Sequence, residues 1–124
     1  MSYTISKEFH FSASHQLGGL PDDHPCARLH GHNYVVKLEL TALATDDVGF
    51  VFDYGRLKPF AQHIDDFADH RHLNDLLGTR NPTAENLARY FHGQATMMFT
   101  AFLPPNTTIR VGVSETPKTW AFYA

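Results

Sequence analysis

The stretch PCARLHGHNYVVKLELTAL, residues 25–43, decides how the rest of the chain is read. From His32 to Leu43 the residues alternate as a half-buried strand does. His32, Tyr34, Val36, Leu38 and Leu40 share one face, and Asn33, Val35, Lys37, Glu39 and Thr41 share the other. Side chains repeat every two residues along a strand, so His30 has the parity of His32 and extends the apolar row into a pair of imidazoles. Gly31 between them removes a side chain and lets the backbone adjust. Cys26, the only cysteine, stands four positions before the first histidine.

Upstream, YTISKEFHFSASH (residues 3–15) alternates in the same way. Tyr3, Ile5, Phe9, Phe11 and Ala13 form an apolar row, broken by Lys7, and regular continuation places His15 on the buried side. The intervening QLGGLPDDHPCARL is rich in glycine and proline and reads as a long irregular connection, a place where function often resides. Two strands joined so predict an antiparallel pair, with His15 facing His30 and His32.

Downstream, Asp53 is an expected N-cap for a helix carrying Leu57, Phe60, Ile64 and Phe67 at helical spacing. Pro59 demands that this helix begin late or kink. The segment DHRHLNDLLGTRNP, residues 69–82, reads as a polar connection. Thr83 then caps a second helix, with Glu85 in its first turn, where its charge suits the dipole. TTIRVGVSETPKTWAFYA predicts two strands around a turn at Thr116-Pro117, and Glu115 ends an apolar row of Ile109, Val111 and Val113. The order β-β-α-α-β-β is an α+β class, and 124 residues suit one domain, residues 1–124.

Composition narrows the function. Ten basic residues against 13 acidic ones give a net charge of −3, with no basic block of the kind a nucleic-acid face needs. A small anionic substrate needs only a local cluster of cations. One cysteine makes no internal disulfide, so a reducing, cytoplasmic setting is expected. No leader pattern is read at the N-terminus, and no apolar run approaches the roughly 18–20 residues that cross a bilayer. A core this modest leaves oligomerisation open.

Three imidazoles from two neighbouring strands suit zinc. A fourth tetrahedral position left free is the mark of a catalytic site. An H-x-H pair alone is weak; His15 on the facing strand is what raises it. Cys26 has two readings at this point: a fourth ligand closing a structural site, or an unbound thiol acting on a metal-bound substrate.

Six segments together resemble the 6-pyruvoyltetrahydropterin synthase family. CARLHGH matches its C-x3-H-G-H motif and FSASHQL its first histidine. VFDYGRLK, DHRHLND, NPTAENLA and VSET follow in family order and span nearly the whole chain. The likeness is greatest to the bacterial 6-carboxy-5,6,7,8-tetrahydropterin synthase branch, which serves the 7-deazaguanine route to queuosine. The resemblance implies a T-fold, an antiparallel sheet with two helices on one face, assembling as trimers and hexamers. It implies Zn2+ on His15, His30 and His32, with Cys26 as the catalytic thiol rather than a ligand. Asp69 and His70 match the pair that works with that thiol, and Glu115 the residue that anchors the pterin ring. The implied substrate is 7,8-dihydroneopterin triphosphate. Loss of acetaldehyde and triphosphate gives the carboxy product; triphosphate elimination alone gives the pyruvoyl product. A non-catalytic zinc protein is the third reading. For the triphosphate, Arg28, Lys37, Arg80 and Lys118 stand in or near loops, and His24, His72 and Glu85 are named beside them without a role.

Overall fold

The computed structural model describes residues 1–124. Four strands, β1 (Tyr3–His15), β2 (His30–Ala42), β3 (Thr108–Ser114) and β4 (Ala121–Tyr123), form one antiparallel sheet in the order β1-β2-β3-β4. Between β2 and β3 the chain forms α1 (Lys58–Phe67), the short α2 (Leu73–Leu77) and α3 (Ala84–Phe99). No helix is long and apolar enough to cross a membrane.

The register follows the alternation. Phe9 pairs with Val36, Phe11 with Tyr34, Ala13 with His32 and His15 with His30. Val36 pairs in turn with Val113, Leu38 with Val111 and Leu40 with Ile109. A slip of one residue would turn every apolar side chain to the polar face, so this pattern pins the register. The apolar rows meet the helices in an aromatic core. Phe60 of α1 lies edge-on to Phe9 at 5.1 Å, and Phe91 of α3 lies edge-on to Phe11 at 5.9 Å. Phe52 closes against Phe99 at 5.8 Å. Phe91 is fully buried at this junction. Phe91→Ala is expected to cost about 3–5 kcal/mol by chemical denaturation, and a loss under about 1 kcal/mol would mean that the helix is not held through this ring.

Three local features refine the reading from sequence. Asp53 does cap, but it caps a 3-10 turn, Tyr54–Leu57, its Oδ1 accepting from Gly55 N at 2.8 Å. The α-helix proper starts at Lys58, so Pro59 sits in its first turn, where no N–H is missed. Thr83 caps α3, its Oγ1 accepting from Asn86 N at 3.1 Å. The connection 69–82 holds more structure than its polarity suggests. Leu73 is buried and seeds α2, which stops at Gly78 with φ 64°, a left-handed conformation that suits glycine.

Candidate metal centre and the groups around it

β1 and β2 place three imidazoles at one end of the helix-covered face. Their ligand atoms all lie within 4.8 Å of one another. Gly31 is needed here for space: a Cβ on it would lie 3.0 Å from the Ala13 carbonyl oxygen of β1. Two of the rings are oriented from behind. His15 Nδ1 donates to the Pro82 carbonyl at 2.8 Å, and His30 Nδ1 donates to the Arg28 carbonyl at 2.7 Å. A carbonyl only accepts, so each Nδ1 carries a proton and Nε2 is the atom each ring turns toward the cluster. Those two Nε2 atoms face each other at 2.9 Å. His32 Nε2 is buried with no hydrogen-bond partner. Two Nε2 atoms facing each other beside a third without a partner form the donor set of a metal ion. A backbone carbonyl on the remote nitrogen is how metal-bound histidines are usually fixed. The three histidines can hold one metal ion.

Burial pushes the His32 pKa below the ordinary 6.5, Glu115 opposes this, and the two neighbouring imidazoles add to it. His63, which meets the Tyr90 hydroxyl at 2.6 Å, is also lowered by burial, with Asp66 opposing. For such groups the unfolded chain takes up protons before the folded one. Their contribution is intact above the unfolded value near 6.5 and is lost as pH falls toward the folded values. The metal-free protein is therefore expected to show a falling Tm as pH drops below 6.5. A Tm that rises there would contradict the burial of these rings.

Cys26 lies in a 3-10 turn, Pro25–Ala27, and is partly buried. Its sulfur is not among the atoms that cluster with the three histidines. His24 caps this turn: its Nδ1 accepts from Cys26 N at 3.0 Å. The loop that carries the thiol is tied down. Asn74 Oδ1 accepts from Gln16 N at 2.9 Å while its amide donates to Gln16 O at 2.7 Å. Asn81 repeats the device on Gly18, at 2.9 and 2.8 Å. Leu17 N donates to Cys26 O at 3.0 Å. Neither asparagine was singled out from the sequence. Their signal was present in DHRHLND and NPTAENLA, but nothing local tells an asparagine clamp from a loop-forming asparagine.

Asp69 and His70 meet β1 from outside. Asp69 Oδ1 accepts from Ser12 N at 2.9 Å, and its Oδ2 lies 2.9 Å from His70 Nδ1. His70 N donates to Ser12 O, and Arg71 O accepts from Ser14 N, so residues 70–72 cover part of the free β1 edge. The Ser12 amide first, then His70, holds the Asp69 carboxyl below its usual range. The His70 side chain is 82% exposed and borders a hollow lined by Ser12, Ala13, Ser14, Gly31, His32 and Asn33. Ser12, Ser14, Gly31 and Asn33 have polar-face parity, so within one chain the pair opens mainly on the side of the sheet away from the histidine cluster.

Glu115 follows β3 on the helix-covered side. Its Oε2 lies 3.6 Å from His32 Nε2, and the carboxylate borders a cavity of about 240 Å³ with Glu85, Thr119 and Trp120. Beside it Tyr34 is completely enclosed, and burial, with the Glu115 charge adding, raises its pKa so that the phenol stays protonated. Of the cations named from sequence, Lys37 is engaged on the polar face, 4.5 Å over Trp120 and 3.8 Å from Glu8. Arg28, Arg80 and Lys118 are exposed. His72 is tied to Ser14 Oγ at 3.0 Å.

A helix-backed antiparallel sheet with three inward imidazoles at the end of two paired strands defines a class of small metal-centre domains. A family model described as 6-pyruvoyl tetrahydropterin synthase matches residues 4–124, and the chain belongs to that family of pterin-processing enzymes. The 6-carboxy-5,6,7,8-tetrahydropterin synthase of Synechocystis sp. is 35% identical over 96 residues, 71% of this chain and 70% of that protein. The protein of the same name from Bacillus subtilis is 28% identical over 130 aligned positions, covering 98% of this chain and 85% of its own. A solved structure of Caenorhabditis elegans 6-pyruvoyl tetrahydropterin synthase superposes with a TM-score of 0.81 at 29% identity, covering 99% of this chain and 95% of that one. The fold is the T-fold of these proteins.

Proposed function

We propose that this chain is a zinc-dependent 6-carboxy-5,6,7,8-tetrahydropterin synthase. It converts 7,8-dihydroneopterin triphosphate and one water to the carboxy product with release of acetaldehyde and triphosphate, the water supplying the second carboxyl oxygen and the aldehyde hydrogen when the side-chain carbon–carbon bond breaks, a step toward 7-deazaguanines such as queuosine. The observation that carries the metal dependence is the convergence of three Nε2 atoms, two facing at 2.9 Å and one unpartnered. The branch is supported by the names of the Synechocystis and Bacillus subtilis relatives.

His15, His30 and His32 would hold the ion. A bound zinc supplies Lewis acidity toward side-chain oxygens of the substrate. The Cys26 thiolate takes a proton from the substrate's three-carbon side chain, and the clamped loop fixes where that sulfur stands. Glu115 accepts adjacent N–H groups of the pterin ring, a pairing that suits one carboxylate with two oxygens. Electrons leave the side chain and reduce the ring, so no external reductant is consumed. Asp69 keeps its charge and orients His70, which relays protons. Because that pair opens on the polar face, it serves the thiol of a neighbouring chain, and the working enzyme is an oligomer.

A second reading, the pyruvoyl product, is favoured by the name of the Caenorhabditis elegans structure. Incubation of the zinc-loaded protein with 7,8-dihydroneopterin triphosphate separates the two. Acetaldehyde in step with triphosphate supports the carboxy reaction; triphosphate with a pyruvoyl pterin and no acetaldehyde overturns it.

A further inference from the structure

Two buried side-chain polar atoms lack a hydrogen-bond partner, His32 Nε2 and the Tyr34 hydroxyl. A metal on three imidazoles accounts for the first and leaves the second unexplained. Tyr34 is 0% exposed, and its ring stacks on Phe11 with centroids 4.8 Å apart. Phenylalanine would make the same stack without an enclosed hydroxyl, whose lack of a partner carries a cost. The hydroxyl therefore has a partner in the working protein.

The surroundings name it. The β2–β3 register pairs Val36 with Val113 and Val35 with Ser114, so Glu115, the first residue past β3, leaves the sheet next to the Tyr34 end of the paired region. Its carboxylate has an oxygen 3.6 Å from His32 Nε2, a short swing from any ion the imidazoles hold. Carboxylates are ordinary zinc ligands, and one that bound there would fill the fourth position and close the site.

We infer that the Tyr34 hydroxyl donates to the Glu115 carboxylate in the metal-loaded protein and holds it off the ion. Tyr34 is then a positioning residue. It keeps the coordination site open, and it keeps Glu115 turned toward the ring of a substrate. This last consequence rests on the pterin reading above; the restraint on the metal does not. The bond proposed is a charge-assisted O–H···O⁻ contact, strong enough to compete for a flexible carboxylate.

The test uses the full-length protein loaded with Co2+ in place of zinc and titrated with azide, read in the visible absorption of the metal. Azide enters only an open position. Tyr34→Phe is expected to weaken azide binding by about tenfold or more, and Tyr34→Phe combined with Glu115→Gln to restore it. Azide affinity in Tyr34→Phe equal to that of the unmodified protein overturns the inference, as does failure of the double variant to recover. If the Phe variant does not fold, a crystal structure of the zinc-loaded unmodified protein decides. A phenol oxygen within about 3.0 Å of a Glu115 oxygen is expected, and a separation beyond about 3.5 Å overturns the inference. Absence of any pterin product from the unmodified enzyme would count against the proposed function and leave the azide result standing.

Discussion

Cys26→Ala is expected to lower turnover by about 10²–10⁴-fold while the protein keeps one metal ion per chain. The two halves of that result come from separate observations. The thiol is only partly buried, in a turn fixed by His24 and by the asparagine clamps, so its removal leaves the fold in place and takes away the proposed proton acceptor. The sulfur stands outside the cluster that His15, His30 and His32 form, so its removal subtracts nothing from the ligand set. Metal analysis and steady-state kinetics on the same preparation check both halves. Loss of the ion would make Cys26 a ligand, and the site a closed structural one. The polar-face position of Asp69 and His70 adds a test of assembly. Cys26→Ala and His70→Ala chains, each inactive alone, are expected to regain activity when unfolded and refolded together. Mixed oligomers would then contain one thiol and one imidazole in the same site.

The second large effect is expected at His30. His15 is 1% exposed, so its replacement would disturb the core together with the site. His30 is only part-buried, and His30→Ala should fold. Four-ligand structural zinc sites are worth roughly 10–16 kcal/mol, so one imidazole of three carries about 3 kcal/mol or more and its loss about a hundredfold or more in affinity. Competition with a metallochromic chelator measures this. Turnover should fall in parallel and return in part at high zinc. A His30→Ala protein that binds zinc as tightly as the unmodified one would remove this ring from the centre.

The strands and the histidine cluster were legible because one period governs both. Side-chain alternation put Phe9, Phe11 and Ala13 in line with His15, and Val36 and Tyr34 in line with His32 and His30, so finding the core face also found the ligand face. Strand ends are harder to read: His30 and Gly31 belong to β2, although the alternation is convincing only from His32. The five-residue helix at Leu73 was hidden because its stability comes from one buried leucine and a glycine stop, and not from a repeating pattern. Asn74 and Asn81 were invisible as clamps because their partners, Gln16 and Gly18, lie about 60 positions away, at separations of 58 and 63. The face on which Asp69 and His70 open was unreadable for a related reason. It is set by the β1 edge at Ser12 and by the left-handed backbone of His70, φ 56°, neither of which follows from local sequence.

Zinc-edge X-ray absorption on the purified protein in solution tests the open three-histidine centre most directly. Three imidazole nitrogens near 2.0–2.1 Å, one lighter oxygen or nitrogen ligand and no sulfur are predicted. A sulfur shell near 2.3 Å would put the thiol on the ion and contradict the account.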